Sequence, residues 1–266
     1  MPWGAMDRLS KRHGRILEIL GREGTVTIAE LAGRLDVSAE TVRRDVRPLA
    51  DRGTVVRMHG AVGLVGSAGE APFQRRMTEN AGAKQRIART SAALVRNGDS
   101  LALDTGTTTS FLARALTRHE RLEIVTNSTD IARTLGGRNG NRVHLLGGRF
   151  SADSGAVLGF ETVEAMLSFR VDHAVISAGA ISPEGVMDYD PDEAAFARAV
   201  LASGRRRIVV CDSGKFGRRA LVQVCPLSGI DALVTEVAPT RTLAAALAEN
   251  GVSVTWSQAS LGHLST

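Results

Sequence analysis

The stretch from Thr27 to Val62 constrains this chain most, because it encodes two short capped helices, a tight turn and a hairpin in immediate succession. Thr27-Ile28-Ala29-Glu30 has the form of a capping box, a Thr hydroxyl for an orphan amide and a Glu three residues on reaching back. Ile28, Leu31, Ala32 and Leu35 then recur at helical spacing, so the short helix buries one face. Asp36-Val37 makes the turn, and Ser38 is a good N-cap for the next helix. In that helix Val42, Val46 and Leu49 face inward, leaving Glu40, Thr41, Arg43, Arg44 and Arg47 outward. An exposed face with Ser38, Thr and Arg near its start suits the DNA major groove, Arg reading guanine edges or phosphate. Pro48 lacks an amide hydrogen and is expected to kink or end the helix near Arg44 to Arg47. Thr54 to Arg57 and Gly60 to Val62, joined through Met58-His59, read as a two-stranded wing whose Arg57 and His59 are placed to reach phosphate or the minor groove.

Charge agrees, modestly. The net charge is +5, but thirty of the thirty-three basic residues are Arg, a bias that base composition alone produces. Residues 1–65 carry eleven basic and eight acidic groups, so charge density is higher there than over the rest of the chain. Cys211 and Cys225 fit neither a disulfide framework nor a metal site, and no metal or cofactor is expected. With no signal peptide and no apolar run near eighteen residues, a cytoplasmic protein without membrane contact is expected. Met1 to Met6 carries no structural signal, and Met6 is an alternative start.

The expected organisation is an extension at 1–8, a DNA-binding domain at 9–65, a linker at 66–73, a second domain at 74–258 and a tail at 259–266. The linker, rich in Gly, Ser and Pro, leads into a helical approach from Phe73 to Val95. Seven short apolar runs follow, at 101–103, 122–125, 143–146, 174–176, 207–210, 232–234 and 252–254, with helical segments between most of them. That alternation predicts an α/β domain with a mostly parallel, doubly wound sheet covered on both faces. Ligands of such sheets bind where strands end and helices begin.

The unusual residues fall at those ends. Asp104-Thr105-Gly106-Thr107-Thr108-Thr109 follows a strand and opens a helix, so a glycine turn and the groups of Thr107, Thr108 and Thr109 are placed to converge on an anion. Lys215, one of only three lysines, closes another strand in Asp212-Ser213-Gly214-Lys215, a compact charge suited to phosphate. Asn127 is a candidate for a ligand hydroxyl, and Gly147-Gly148 permits close backbone approach. Within Asp188-Tyr189-Asp190-Pro191-Asp192-Glu193, each acid is either a sugar-hydroxyl contact or a helix cap, with Asp190 or Asp192 the candidate caps.

Ser38-x-x-Thr41-Val42-Arg43-Arg44-Asp45-Val46, with Arg15 and Ile19 upstream, resembles the signature of DeoR-type transcriptional regulators, and the resemblance runs from about Leu9 to Trp256. It implies a winged helix on double-stranded operator DNA and a sensor similar in fold to ribose-5-phosphate isomerase and glucosamine-6-phosphate deaminase. It also implies a phosphorylated sugar or polyol effector, held by Asp104 to Thr109, Asn127, Gly147, Gly148, Glu193 and Lys215, and a homo-oligomer, dimer or tetramer. Ala197-Arg198 departs from the Lys-Arg of many members. The function expected is a metabolite-released repressor of a sugar or polyol operon, with no catalysis. The alternative is a sugar-phosphate isomerase or deaminase with an accessory DNA-binding domain, using Asp188 or Glu193 as its acid-base group.

Overall fold

The computed structural model describes residues 11–20, 25–52, 54–58, 61–64 and 73–257. The chain divides into two compact units, Met1–Ala71 and Pro72–Thr266.

In the first unit a helix α1 spans 11–20, followed by β1 (Thr25–Thr27), α2 (Ile28–Leu35), α3 (Ala39–Asp51), β2 (Val55–Met58) and β3 (Ala61–Leu64). Both parts of the capping box form: the Glu30 amide donates to Thr27 Oγ1 at 3.1 Å, and the Thr27 amide to the Glu30 carboxylate at 2.9 Å. Asp36, at φ 52°, ends α2 in the left-handed region that Asp tolerates. Ser38 Oγ accepts from the Thr41 amide and starts α3. Val42, Val46 and Leu49 close a core with Ile16, Leu20 and Leu31.

Two expectations need correction. Helix α3 does not stop before Pro48 but runs through it to Asp51. Proline forfeits only its own amide bond, and Val46 and Leu49, both buried, hold the last turn from below. The wing is three-stranded, in the order β1-β3-β2, because Thr25 to Thr27 pairs antiparallel with Ala61 to Gly63 before the chain enters α2. Arg57 lies in β2 opposite Val62. His59, most of the linker and both terminal segments lie outside the described residues.

The second unit begins with α4 (Phe73–Thr78) and α5 (Ala81–Ala92), separated at Asn80, whose φ is 53°. Then come β4 (Ser100–Leu103), α6 (Thr107–Leu116), β5 (Glu123–Thr126), α7 (Thr129–Leu135), β6 (Arg142–Leu145), β7 (Arg149–Phe150), β8 (Val157–Leu158), α8 (Phe160–Leu167) and β9 (Val171–Ser177). They are followed by β10 (Ala180–Ser182), β11 (Gly185–Asp188), α9 (Pro191–Ser203), β12 (Gly204–Val210), β13 (Val222–Cys225), β14 (Ala232–Thr235), α10 (Arg241–Glu249) and β15 (Ser253–Trp256). The seven apolar runs are the seven strands of one parallel sheet, in the order β15-β14-β12-β9-β4-β5-β6.

Side chains alternate across this sheet as strand geometry requires. Leu101, Leu103, Ile124, Val175, Ile208, Val210 and Val234 pack under α5, α6 and α7. Ala102, Val125, Ala174, Ile176, Val209 and Leu233 face α8, α9 and α10. From β4 the chain winds outward to β5 and β6, then returns to the other side of β4 as β9 and winds outward to β15. The carboxyl ends of β4 and β9 therefore bound the crevice where the winding reverses. Two small antiparallel additions, the hairpin β7-β8 and the sheet β10-β11-β13, complete the unit. No helix among the described residues is long and apolar enough to cross a membrane.

Candidate functional site

On α3, Ser38 at its start, Glu40, Arg43, Arg44 and Arg47 are exposed and Thr41 is half-buried. Thr41 Oγ1 lies 2.9 Å from Ser38 Oγ, and Arg43 pairs with Glu40 at 3.3 Å, a surface pair that a phosphate readily displaces. Asp45, within the signature but unassigned from sequence, is buried and accepts from Arg12 of α1, one of the two contacts measuring 2.8 Å. That pair fixes α3 to α1. Breaking a buried pair strands a charge, so Asp45 serves the geometry of the reading face.

The second site lies at the reversal crevice. Asp104 ends β4, is 6% exposed, and accepts through Oδ2 from the Ser177 amide at the end of β9. Its other oxygen, Oδ1, is buried with no hydrogen-bond partner. Burial pushes the Asp104 carboxyl well above the usual range, and the negative charges of Asp188 and Glu193 push it further, against the opposing Ser177 amide. Asp104 is thus gathered with two acids from elements 84 and 89 residues away in sequence.

Gly106 caps α6 with no side-chain bond, and the first turn of the helix contains no acid. Its early amides, those of Thr107 and Thr108 among them, are the orphan donors of a helix start. Gly106 has an extended backbone, so its requirement is for space: an added Cβ would stand 1.8 Å from Ser177 Oγ. Gly106→Ala is expected to destabilise the protein by roughly 1–3 kcal/mol through overpacking. Urea denaturation of Gly106→Ala, alone and with Ser177→Gly, measures this; recovery in the double variant identifies the clash.

Some candidates turn inward. Thr109 Oγ1 donates to the carbonyls of Asp104 and Gly106, so this hydroxyl braces the turn and is not directed at a ligand. Asn127 is 1% exposed, accepts from Thr105 Oγ1 at 2.9 Å and donates to the Val157 carbonyl at 3.0 Å. It therefore ties the loop after β4 to the hairpin β7-β8 through one acceptor and one donor position of its amide. Gly147 offers its carbonyl to Thr162 Oγ1 at 2.8 Å. Gly148, at φ 147°, sits where a Cβ would meet Thr162 Oγ1 at 2.2 Å and the Leu158 carbonyl at 2.8 Å.

The acidic stretch is divided by role. Asp190 caps α9, accepting from the amides of Asp192 and Glu193. Asp192 pairs with Arg149 at the surface. Asp188 ends β11, is buried, and accepts from the Tyr189 and Asp190 amides. Ala197, one turn beyond Glu193, is buried in the core under the sheet, and Arg198 reaches the Gln223 carbonyl.

Lys215 closes a short turn after β12, half-buried, with Asp212 accepting from the Gly214 amide and from Asn80 Nδ2. Glu236 at the end of β14 accepts from Ser213. Lys84, one helical turn beyond Asn80 on α5, is buried at 4% exposure and donates to the Arg76 carbonyl. Sequence reasoning singled out Lys215 for the scarcity of lysine and passed over Lys84, to which the same signal applies. Ser177 gave no signal at all, since it acts through an amide and through the space it fills. Both cysteines are free, and burial raises their thiols, Cys225 to about 11, which leaves them unreactive. No group of His, Cys, Asp and Glu among the described residues has the arrangement of a metal site.

A winged helix-turn-helix joined to a parallel α/β unit with a built crevice at its reversal point defines a two-part regulator, one part for DNA and one for a small molecule. Residues 12–68 match the DeoR-like helix-turn-helix domain, and residues 79–237 match the DeoR C terminal sensor domain. The glycerol-3-phosphate regulon repressor of Escherichia coli (strain K12) is 34% identical over 231 residues, 86% of this chain and 92% of that protein. The transcriptional repressor GlcR of Bacillus subtilis (strain 168) is 27% identical over 240 residues, 90% of this chain and 93% of that one. The chain belongs to the DeoR family of transcriptional regulators. Fold-level likenesses reach eIF2B delta from Chaetomium thermophilum, at 17% identity and a TM-score of 0.44 over 60% of this chain and 58% of that one. Ribose 5-phosphate isomerase from Plasmodium falciparum follows at 14% and 0.36, over 50% and 52%. Neither likeness bears on function.

Proposed function

We propose that the protein is a cytoplasmic repressor of sugar or polyol catabolic genes, released from its operator by a phosphorylated metabolite bound at the reversal crevice. The observation that carries this reading is the pairing of two opposite chemistries in one crevice. The uncapped start of α6 suits the phosphate, and the buried oxygen of Asp104 with Asp188 and Glu193 suits the hydroxyls. Lys215 supplies positive charge at a neighbouring strand end. The similarity to a repressor of the glycerol-3-phosphate regulon agrees with such a ligand.

The repressor acts as a homo-oligomer, because a single helix-turn-helix reads one half-site and a two-fold dimer reads two. An exposed apolar set on one sheet edge supports pairing of copies: Leu145 on β6, Phe150 on β7, and Phe160 and Leu167 on α8. His144 of β6 packs 5.5 Å from the ring of Phe169, which follows α8, so these elements share that edge.

A thermal-shift screen of sugar and polyol phosphates against their unphosphorylated counterparts tests the effector. At a hundred times Kd a ligand adds about 2.7 kcal/mol, a rise of roughly 5–10 °C for a domain of this size. Only phosphorylated compounds are expected to give it; equal shifts from both sets would rule out the anion site. Lys215→Ala is expected to weaken the same ligand roughly 10- to 100-fold, the loss of one charge-assisted bond. An unchanged Kd by calorimetry would remove Lys215 from the pocket.

A further inference from the structure

We propose that the outer face of α5 and α6 is a second DNA-binding surface, which grips the phosphate backbone. Charge is distributed unevenly along the second unit. Residues 73–138 carry eleven Lys and Arg against six Asp and Glu, hence +5; residues 139–266 carry eleven against thirteen, hence −2. The stretch that follows the wing in sequence thus holds an excess equal to the net charge of the entire protein.

Part of the unit's positive charge is compensated and part is not. Elsewhere many of the arginines are neutralised: Arg142 by Glu123, Arg149 by Asp192, Arg205 by Asp172, Arg207 by Asp231 and Arg219 by Glu184. On the α5–α6 face Arg86, Arg89, Arg114 and Arg118 are exposed, and none takes part in an ion pair with a described residue. The outward residues Arg44 and Arg47 of the reading helix share that condition.

The arrangement is also shaped. Arg86 and Arg89 are three apart on α5, and Arg114 and Arg118 four apart on α6, so each pair projects from one helix face. Between the helices runs a groove of about 570 Å³, with Gln85, Arg89, Arg114 and Arg118 around a floor of Phe111 and three alanines. The Arg114 guanidinium lies 5.3 Å from the Phe111 ring centroid, which restrains it at the groove wall. Uncompensated guanidiniums in a row, with one amide donor and no acid, match a run of phosphates.

The test uses the full-length protein and a fluorescently labelled duplex of unrelated sequence, with affinity measured by anisotropy between about 50 and 200 mM salt. Each lost phosphate contact makes the slope of log K against log salt shallower by about 0.9. The variant Arg86→Gln/Arg89→Gln/Arg114→Gln/Arg118→Gln is expected to lose about two slope units or more, and the corresponding Lys variant is expected to keep the wild-type slope. If the fourfold Gln variant does not fold, Arg114→Gln/Arg118→Gln is expected to lose about one unit or more. A Gln variant that folds and keeps the wild-type slope overturns the proposal, and does so equally if it fails to bind an acidic protein. The inference rests on DNA binding by the protein as such. No measurable affinity in the wild type would defeat that broader reading, whereas an unchanged slope in the variant defeats only this one.

Discussion

Arg43→Ala/Arg44→Ala abolishes specific operator binding while leaving the effector-induced rise in melting temperature intact. Both side chains are exposed on α3, and the core beneath them is made by Val42, Val46 and Leu49, which the substitution does not touch. Surface substitutions of this kind change stability by no more than about 0.5 kcal/mol. A well-placed base contact contributes about 1–3 kcal/mol of discrimination. Loss of two therefore lowers specific affinity by roughly 30-fold to 10⁴-fold. The Arg43–Glu40 pair does not offset this, because both partners are more than half exposed and the pair is weak. Anisotropy with an operator fragment and with an unrelated duplex separates the effects: specific affinity collapses to the level of the unrelated duplex. Undiminished operator affinity in the double variant would show that another element reads the bases.

How far the fold was legible follows from what each residue signals locally. The seven sheet strands were readable because each is a short apolar run, and the inner ones are buried on both faces, as in Leu101 to Leu103 and Ile208 to Val210. Strands β1, β10, β11 and β13 were not, since Thr25 to Thr27 or Gly185 to Asp188 is too short for a period and is set by partners far away. Pro48 misled because a local rule was applied where tertiary packing of Val46 and Leu49 decides the outcome.

In the site, the groups that announce themselves by residue type were visible: Gly106 before a run of threonines, a lone Lys215, acids before α9. Which of them face the crevice was not, because that depends on bonds across 22 to 73 residues. Asn127 is tied to Thr105 and Val157, whereas Asp104 is held by Ser177. Composition can name a chemistry, but only the winding of β4 and β9 decides which atoms are left over.

The leftover atom is Asp104 Oδ1, and it makes Asp104→Asn the most revealing change in the second unit. An unfolded Asp ionises near pH 3.9. In the folded protein burial and the charges of Asp188 and Glu193 hold the carboxyl protonated to a higher pH. Between those two values the unfolded chain has released a proton that the folded chain keeps, so stability falls as pH rises through the window. Asn does not titrate. It still offers an oxygen to the Ser177 amide, and the variant is expected to melt above wild type at pH 8. The gain shrinks toward zero as pH falls to about 4, where both forms are neutral in both states. Each kcal/mol relieved raises the melting temperature by roughly 2–4 °C. The same change is expected to make DNA binding insensitive to the phosphorylated effector, because Asn replaces an oxygen that can accept from a ligand hydroxyl with a donor-only amide nitrogen. Calorimetric melts at pH 4, 6 and 8 check the first part, the lowest lying near the ionisation of an unfolded Asp. Operator binding with and without effector checks the second. A variant that melts below wild type at pH 8 would mean that the Asp104 carboxylate is ionised and stabilising in the free protein, with a positive group beside Oδ1. A stabilised variant that still responds to effector would leave Asp104 as a strained structural acid and move ligand recognition to Asp188 and Glu193.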